Sequence, residues 1–217
     1  MKLKNLLMLL LCTFAGITLT SCLSNDDDDK NKITPLTPQQ KVAQLTDMAG
    51  NYTGQVFFAN DSTQLIDSIN GVNWHVVAGD STLFIDNIPL KVVGQGLPDT
   101  DLKKELIKSE RTIPVDGNIS LYVNENNSKG YYTFWAIPKG YKTQFQFEFG
   151  GKAHDVVLEF AYQMTTSLSS YYSTSTYYAT GEYYDSQMVV FCLLRNVKCD
   201  GSSYTINRVF VVKGKRN

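Results

Sequence analysis

Residues 143–149 alternate without a break. Phe145, Phe147 and Phe149 fall on one face, and Gln144, Gln146 and Glu148 on the other. Successive side chains of a strand point to opposite faces, so this is a strand with one face buried and one face wet. Gly150-Gly151 follows at once and suits a two-residue hairpin turn, whose central residues take positive φ. The turn fixes the register of what comes next. Phe149 faces Lys152, Phe147 faces His154, Phe145 faces Val156 and Thr143 faces Leu158. On the wet face Lys142 stands opposite Glu159, an opposite-charge pair that favours this pairing. His154 therefore shares the apolar face with the phenylalanines.

The same pattern extends through most of the chain. Strands are predicted around residues 52–58, 74–77, 83–85, 88–93, 119–124, 131–137, 141–149, 153–163, 188–194 and 204–212, with Pro89 marking a sheet edge or a strand end. Two short helices interrupt them. One spans about 37–49: Thr37 is the N-cap, Pro38 occupies the first helical position, Gln40 completes a capping box, and Val42, Leu45 and Met48 form the apolar stripe. The other spans about 99–109, with Leu102, Leu106 and Ile107 on one face. Consecutive strands joined by short turns give a mostly β fold, an antiparallel barrel or sandwich.

The N-terminus reads as a secretory signal over residues 1–21: Lys2 and Lys4, then an apolar run over 5–18 that is shorter than the roughly 20 residues needed to span a bilayer. Leu19-Thr20-Ser21-Cys22 resembles the bacterial lipobox, which implies that Cys22 carries the lipid and anchors the chain to a membrane. The four aspartates at 26–29 make residues 22–36 an extended, solvated tether. This acidic stretch resembles that of surface-exposed Bacteroidetes lipoproteins, which implies the outer membrane and favours its outward face. Residues 37–217 remain as a single β-rich domain. Removing residues 1–21 takes two of the 20 basic residues and none of the 21 acidic ones. The remaining excess of acid offers no footprint for nucleic acid.

Tests for chemistry find little. Gly94-Gln95-Gly96 has Asp99 where a dinucleotide loop needs its third glycine, and reads as a structural turn. There is no Gly-x-Ser-x-Gly elbow. His154 and Asp155 are adjacent on a strand and point apart. His75 is the only other histidine. No metal or cofactor is expected, and no catalytic residue is assigned. Cys192 and Cys199 form a disulfide only if the chain turns near Arg195-Asn196, because on one extended strand they stand about 23 Å apart and a bridge needs about 7 Å or less.

Gly50-Asn51-Tyr52, opening the first strand after a short helix, resembles the Gly-x-Trp start of calycin (lipocalin-like) barrels. The resemblance implies that an arginine of the last strand, Arg208, packs against Tyr52. The chain as a whole resembles an uncharacterised Bacteroidetes-type outer-membrane lipoprotein family. Tyrosine offers a flat apolar face with a polar tip, a surface suited to sugars and lipid head groups. Trp74, Trp135, Tyr131, Tyr171, Tyr177 and Tyr183 are accordingly the candidate ligand contacts. The expected role is a binding module for a small apolar or glycan ligand; the alternative is an assembly lipoprotein that docks another envelope protein.

Overall fold

The computed structural model describes residues 35–123, 130–138, 142–160, 162–168, 171–177 and 179–217. Side chains are described for these except 137–138, 162–168, 171–177 and 179. The lipobox with Cys22 and the four aspartates of the tether lie outside the described residues.

The order is α1 (Pro38–Met48), β1 (Gly50–Asn60), β2 (Leu65–Val77), β3 (Thr82–Pro89), α2 (Leu90–Gly94), α3 (Asp101–Lys108), β4 (Thr112–Tyr122), β5 (Tyr132–Pro138), β6 (Lys142–Phe149), β7 (Lys152–Phe160), β8 (Tyr162–Leu168), β9 (Tyr171–Tyr177), β10 (Ala179–Tyr184), β11 (Gln187–Cys199) and β12 (Ser202–Arg216). The capping box forms as read: the Thr37 hydroxyl accepts from Gln40 N, and Gln40 Oε1 accepts from Thr37 N at 2.8 Å. Thr100 caps α3 in the same way. Residues 90–93, read as strand, form the helical turn α2. Pro89 has no N–H to continue a ladder, and Leu90, Val92 and Val93 are buried only when the chain coils here.

Strands β10, β5, β4, β3, β2, β1, β12 and β11 follow one another, all antiparallel, and β11 pairs back to β10. The sheet therefore closes into a barrel rather than splitting into a sandwich. The ring contains one split wall. The first half of β11, Gln187–Cys192, pairs with β10, and its second half, Leu194–Cys199, pairs with β7, with a bulge inside that second half between Leu194 and Asn196. So β7 and β10 share one position in the wall, and the β8–β9 hairpin is an excursion between them. β5 and β6 share the neighbouring position along β4. β5 pairs with Gly117–Tyr122, while the start of β4 and the residue before it meet β6 through Thr143 Oγ1 donating to Pro114 O (3.4 Å) and Arg111 Nη1 donating to Gln146 O (2.8 Å).

The β6–β7 register is the one read from the alternation, from Lys142↔Glu159 to Phe149↔Lys152. Gly150 and Gly151 have φ +57 and +74, the left-handed conformation that this turn requires. Glu159, however, closes on Lys198 Nζ (2.5 Å) and Asn196 Nδ2 (2.9 Å) of β11 rather than on Lys142.

The ring is filled. Tyr52, Val56, Trp74, Leu83, Ile85, Val115, Phe134, Ala136, Met188, Val190 and Val212 are all buried. Glycines make room for the largest rings. Gly54 and Gly214 face each other across β1 and β12, and a Cβ on Gly214 would stand 2.6 Å from Trp74 Cη2. α1 covers one end of the barrel with Leu45 and Met48, held by Tyr52 Oη donating to Met48 O (2.5 Å) and Tyr183 Oη to Asp47 O (3.1 Å). The α2–α3 segment inserts its own buried residues, Leu90, Val93, Leu102 and Leu106. Asp61 secures it, accepting from Lys103 of α3 (2.9 Å) and Arg208 of β12 (2.6 Å).

Candidate functional site

The outer face of the β4–β5–β10 wall concentrates rings. Alternation along β5 sends Phe134 and Ala136 inward, fully buried, and Thr133 and Trp135 outward. The registers then set two rows across the wall: Tyr122, Thr133 and Glu182 in one, Ser120, Trp135 and Thr180 in the next. Trp135 stacks against Tyr122, centroids 5.2 Å apart and planes 30° apart. Beyond the first row Tyr131 meets Tyr184 at 6.3 Å. Two aromatic pairs thus flank one carboxylate.

The environment of these groups is mixed. Trp135, Tyr122, Tyr131 and Glu182 are half-buried, and Tyr184 is 54% exposed. Burial, and then the hydrogen bond to and charge of Glu182, push the Tyr131 phenol well above its ordinary range. Burial pushes the Tyr122 phenol up too, against a hydrogen bond from Thr133 that lowers it, with Glu182 adding to the rise. Neither phenol ionises near neutral pH, so both keep their protons, and that of Tyr131 is donated to Glu182. Ser120 and Thr180 stand on either side of Trp135 in its row, and Thr133 in the first row is buried. Such a surface offers apolar ring faces, neutral phenol donors and one carboxylate acceptor, the groups that recognise a polyhydroxylated ring.

Of the six candidate ligand contacts, the structure brings Trp135 and Tyr131 together here. Trp74 is not at the surface: it is 1% exposed inside the ring, stacked on Tyr52. Tyr183 points inward too, stacked on Tyr132 at 5.6 Å. Tyr171 and Tyr177 lie on β9, opposite Leu168 and Tyr162, and their side chains are outside the described set. Tyr122, Tyr184 and Glu182 were not singled out. The Tyr183-Tyr184 doublet carried the signal for one of them, since adjacent strand residues face opposite ways and one of the two must face out.

Tyr52 and Arg208 are not brought together. β12 sets Arg216, not Arg208, opposite Tyr52, and Arg208 lies eight residues earlier, about 26 Å along the strand. Arg216 takes the position beside the helix end, donating to Asp47 O (2.5 Å), while Arg208 bonds Asp61. Cys192 and Cys199 are both free and buried. β11 bulges near Arg195-Asn196 but does not turn back, so the two thiols remain on one strand. Burial pushes the Cys192 thiol far up, and burial with the nearby Asp200 charge raises that of Cys199.

A separate concavity of about 410 Å³ lies between α3 and β6, lined by Glu105, Lys108, Arg111, Gln146, Phe147 and Glu148. Arg111 sits over the Phe145 and Phe147 rings at 5.8 and 5.7 Å and bonds the β6 backbone. That geometry joins the two halves of the wall and accounts for the arginine without a ligand.

A family model described as a domain of unknown function (DUF4840) matches residues 47–188. No curated protein and no solved structure matches the chain.

Proposed function

The chain belongs to the DUF4840 family, and from that premise, which names no activity, we propose a role on its own geometry: a lipid-anchored outer-membrane protein with a calycin-like barrel that binds a glycan on its outer wall and catalyses nothing. The observation that carries this reading is the pair of aromatic stacks, Tyr122–Trp135 and Tyr131–Tyr184, on either side of Glu182. The packing inside the ring supports an outer site over an inner one, because Trp74, Tyr52 and Phe134 occupy the space a lipocalin-type ligand would take. The helix before β1 and the arginine of the last strand beside Tyr52 support the calycin-like assignment, with Arg216 in the part that Arg208 was expected to play. The anchor rests on the lipobox at Cys22.

The test uses the two tryptophans. Trp74 is sealed in the core, so a glycan at the wall changes the emission of Trp135 alone. Titration with a panel of neutral and acidic oligosaccharides is expected to give a saturable change with at least one class, absent from Trp135→Phe. A panel that leaves emission unchanged and gives no thermal shift counts against the reading. A bound ligand at a hundredfold excess over its Kd adds about 2.7 kcal/mol of stability, well within detection. Cys22→Ala is expected to move the protein from the membrane to the soluble fraction.

A second reading, docking to another envelope protein, is favoured by the β8–β9 hairpin. Among the described residues its two strands pair only with each other, which leaves edges open to strand addition. Deleting residues 161–178 and comparing cross-linked partners in native membranes tests this reading, and Trp135→Phe, which leaves the hairpin in place, tests the other.

A further inference from the structure

At the ends of two hairpins, away from the aromatic wall, three unlike donors converge. His154 sits near the start of β7. Cys199 and Asp200 close β11, where Asp200 and Gly201, with φ +46 and +85, form the two-residue turn into β12. The His154 ring nitrogens, Cys199 Sγ and the Asp200 carboxylate offer one ligand atom each, all within 4.8 Å of one another. We propose that His154, Cys199 and Asp200 form a binding site for a divalent transition ion of the zinc class.

The argument rests on the histidine tautomer. His154 Nε2 faces the carbonyl oxygen of Phe149 at 3.2 Å. A carbonyl only accepts, so Nε2 carries a proton and donates it. The ring is further fixed by stacking on Phe149, centroids 3.8 Å apart. In the neutral imidazole Nδ1 is then a bare lone pair, and it points at Asp200 Oδ2 from 2.6 Å. At that distance the two atoms share a second ring proton, and a metal ion binds by displacing that proton as the two ligand atoms spread apart. A backbone carbonyl that holds one nitrogen so the other can ligate is the usual support for a metal-bound histidine. The carboxylate is prepared as well. Asp155 N donates to Asp200 Oδ1 (2.9 Å), and Asp200 N donates to Asp155 O (3.1 Å), which leaves Oδ2 for the site.

The donor set selects the ion. Imidazole nitrogen, thiolate and one carboxylate oxygen suit zinc, whereas calcium and magnesium take oxygen ligands throughout. Bonds of about 2.0–2.3 Å set tetrahedral ligand atoms about 3.3–3.8 Å apart, so His154 Nδ1 and Asp200 Oδ2 spread from 2.6 Å while any pair near the 4.8 Å limit closes in. The His154 side chain is 18% exposed and that of Asp200 53%, so the site opens to solvent on the Asp200 side, where a water completes the fourth position. Charge and protons balance. The ion brings two positive charges, the Cys199 thiol and the Nδ1 position each release a proton, and the Nε2 proton remains on the Phe149 carbonyl.

The experiment is calorimetry of zinc chloride into the untagged protein after chelator treatment, repeated in buffers of different ionisation enthalpy, with cobalt chloride loaded in parallel. The expected result is one saturable ion per chain, about two protons released, and a thiolate-to-cobalt charge-transfer band. Cys199→Ser and His154→Gln are each expected to weaken binding by more than the roughly tenfold that loss of a supporting partner costs. His75→Asn is expected to leave it unchanged. No saturable binding, a cobalt complex without the thiolate band, or undiminished affinity in His154→Gln overturns the proposal and leaves an imidazolium–carboxylate ion pair in its place. The cobalt band is read on the unaltered protein and so decides the matter even if Cys199→Ser does not fold.

Discussion

Tyr52 and Trp74 lie face to face inside the barrel, ring centroids 5.5 Å apart and planes 8° from parallel, on opposed positions of β1 and β2. The stack has room only because Gly54 and Gly214 meet beneath it. In Gly214→Ala the new methyl would stand 2.6 Å from Trp74 Cη2 and 2.3 Å from Thr53 O. The indole and the backbone must both shift, so the substitution is expected to cost about 1–3 kcal/mol, as overpacking of a filled core does. Gly79→Ala, with nothing within 4 Å of the new atom, is the control and should change little. Urea denaturation followed by near-ultraviolet circular dichroism reads both stability and the packing of the stack.

Gly181 gives a second, independent case. It faces Phe134 across β10 and β5, and a Cβ there would stand 2.1 Å from the ring. Gly181→Ala is expected to destabilise by a similar about 1–3 kcal/mol. Since Trp135 and Glu182 lie on the other face of the same strands, the substitution should also disturb the proposed glycan surface. A variant that keeps full stability would mean that the Phe134 ring has space to move.

The two strand cysteines are expected to stay reduced even under oxidising conditions. In denaturant without reductant, an alkylating reagent should label both Cys192 and Cys199. In the native state it should label neither quickly, because both are buried and their thiols are held above the ordinary range. Loss of two hydrogens in intact mass would show a bridge and require β11 to be broken.

Much of this was legible where the determining contacts are local. The capping box of α1 involves residues three apart, and the β6–β7 register follows from one uninterrupted alternation and one Gly-Gly turn. The helical turn after Pro89 was missed because Leu90, Val92 and Val93 suit a strand equally well, and only the barrel end they cover decides the matter. The choice between Arg208 and Arg216 was not available from the pattern, since the two residues share a phase along β12 and only pairing with β1 says which one faces Tyr52. The split wall was hidden for the same reason: β7 and β10 become collinear through β11, which comes later in the chain. His154 and Asp200, 46 positions apart, meet through that same pairing. Sequence distance conceals contacts that a sheet makes adjacent.

Alkaline pH should unfold the protein early. Burial raises the phenols of Tyr52, Tyr122, Tyr131 and Tyr132 in the folded state above the ordinary phenol value of about 10. The folded state then holds protons that the unfolded state gives up, so stability is fully present below about pH 10 and falls as pH rises above it. Absorbance titration is expected to show late phenolate formation that coincides with loss of structure. Tyr52→Phe should flatten the pH dependence, at a cost of about 1 kcal/mol for the lost bond to Met48 O. Phenols that all titrate in the native fold near 10 would contradict this.

Asp61 joins three separate parts of the chain. Its carboxylate holds Arg208 of β12 and Lys103 of α3, its backbone N–H donates to Gln95 Oε1 (3.0 Å), and Lys103 also donates to Leu97 O (2.8 Å). The Asp61 side chain is only 21% exposed, with Lys103 at 19% and Arg208 at 40%. Asp61→Asn keeps the shape but removes the charge that both cations face. The expected loss is about 1–2 kcal/mol, less than the 3–5 kcal/mol of a fully buried pair because Arg208 reaches solvent. Glu105→Gln, which breaks the exposed Lys108–Glu105 pair (71% and 41%), should cost under about 0.5 kcal/mol. Hydrogen exchange locates the effect: if Asp61 is the tie that seats the inserted segment, amides of α2 and α3 lose protection in Asp61→Asn while those of β1 and β12 near Tyr52 do not. Uniform loss across the barrel would instead make α2 and α3 part of one cooperative core with the ring, held by Leu90, Val93 and Leu106 rather than by the ion pairs.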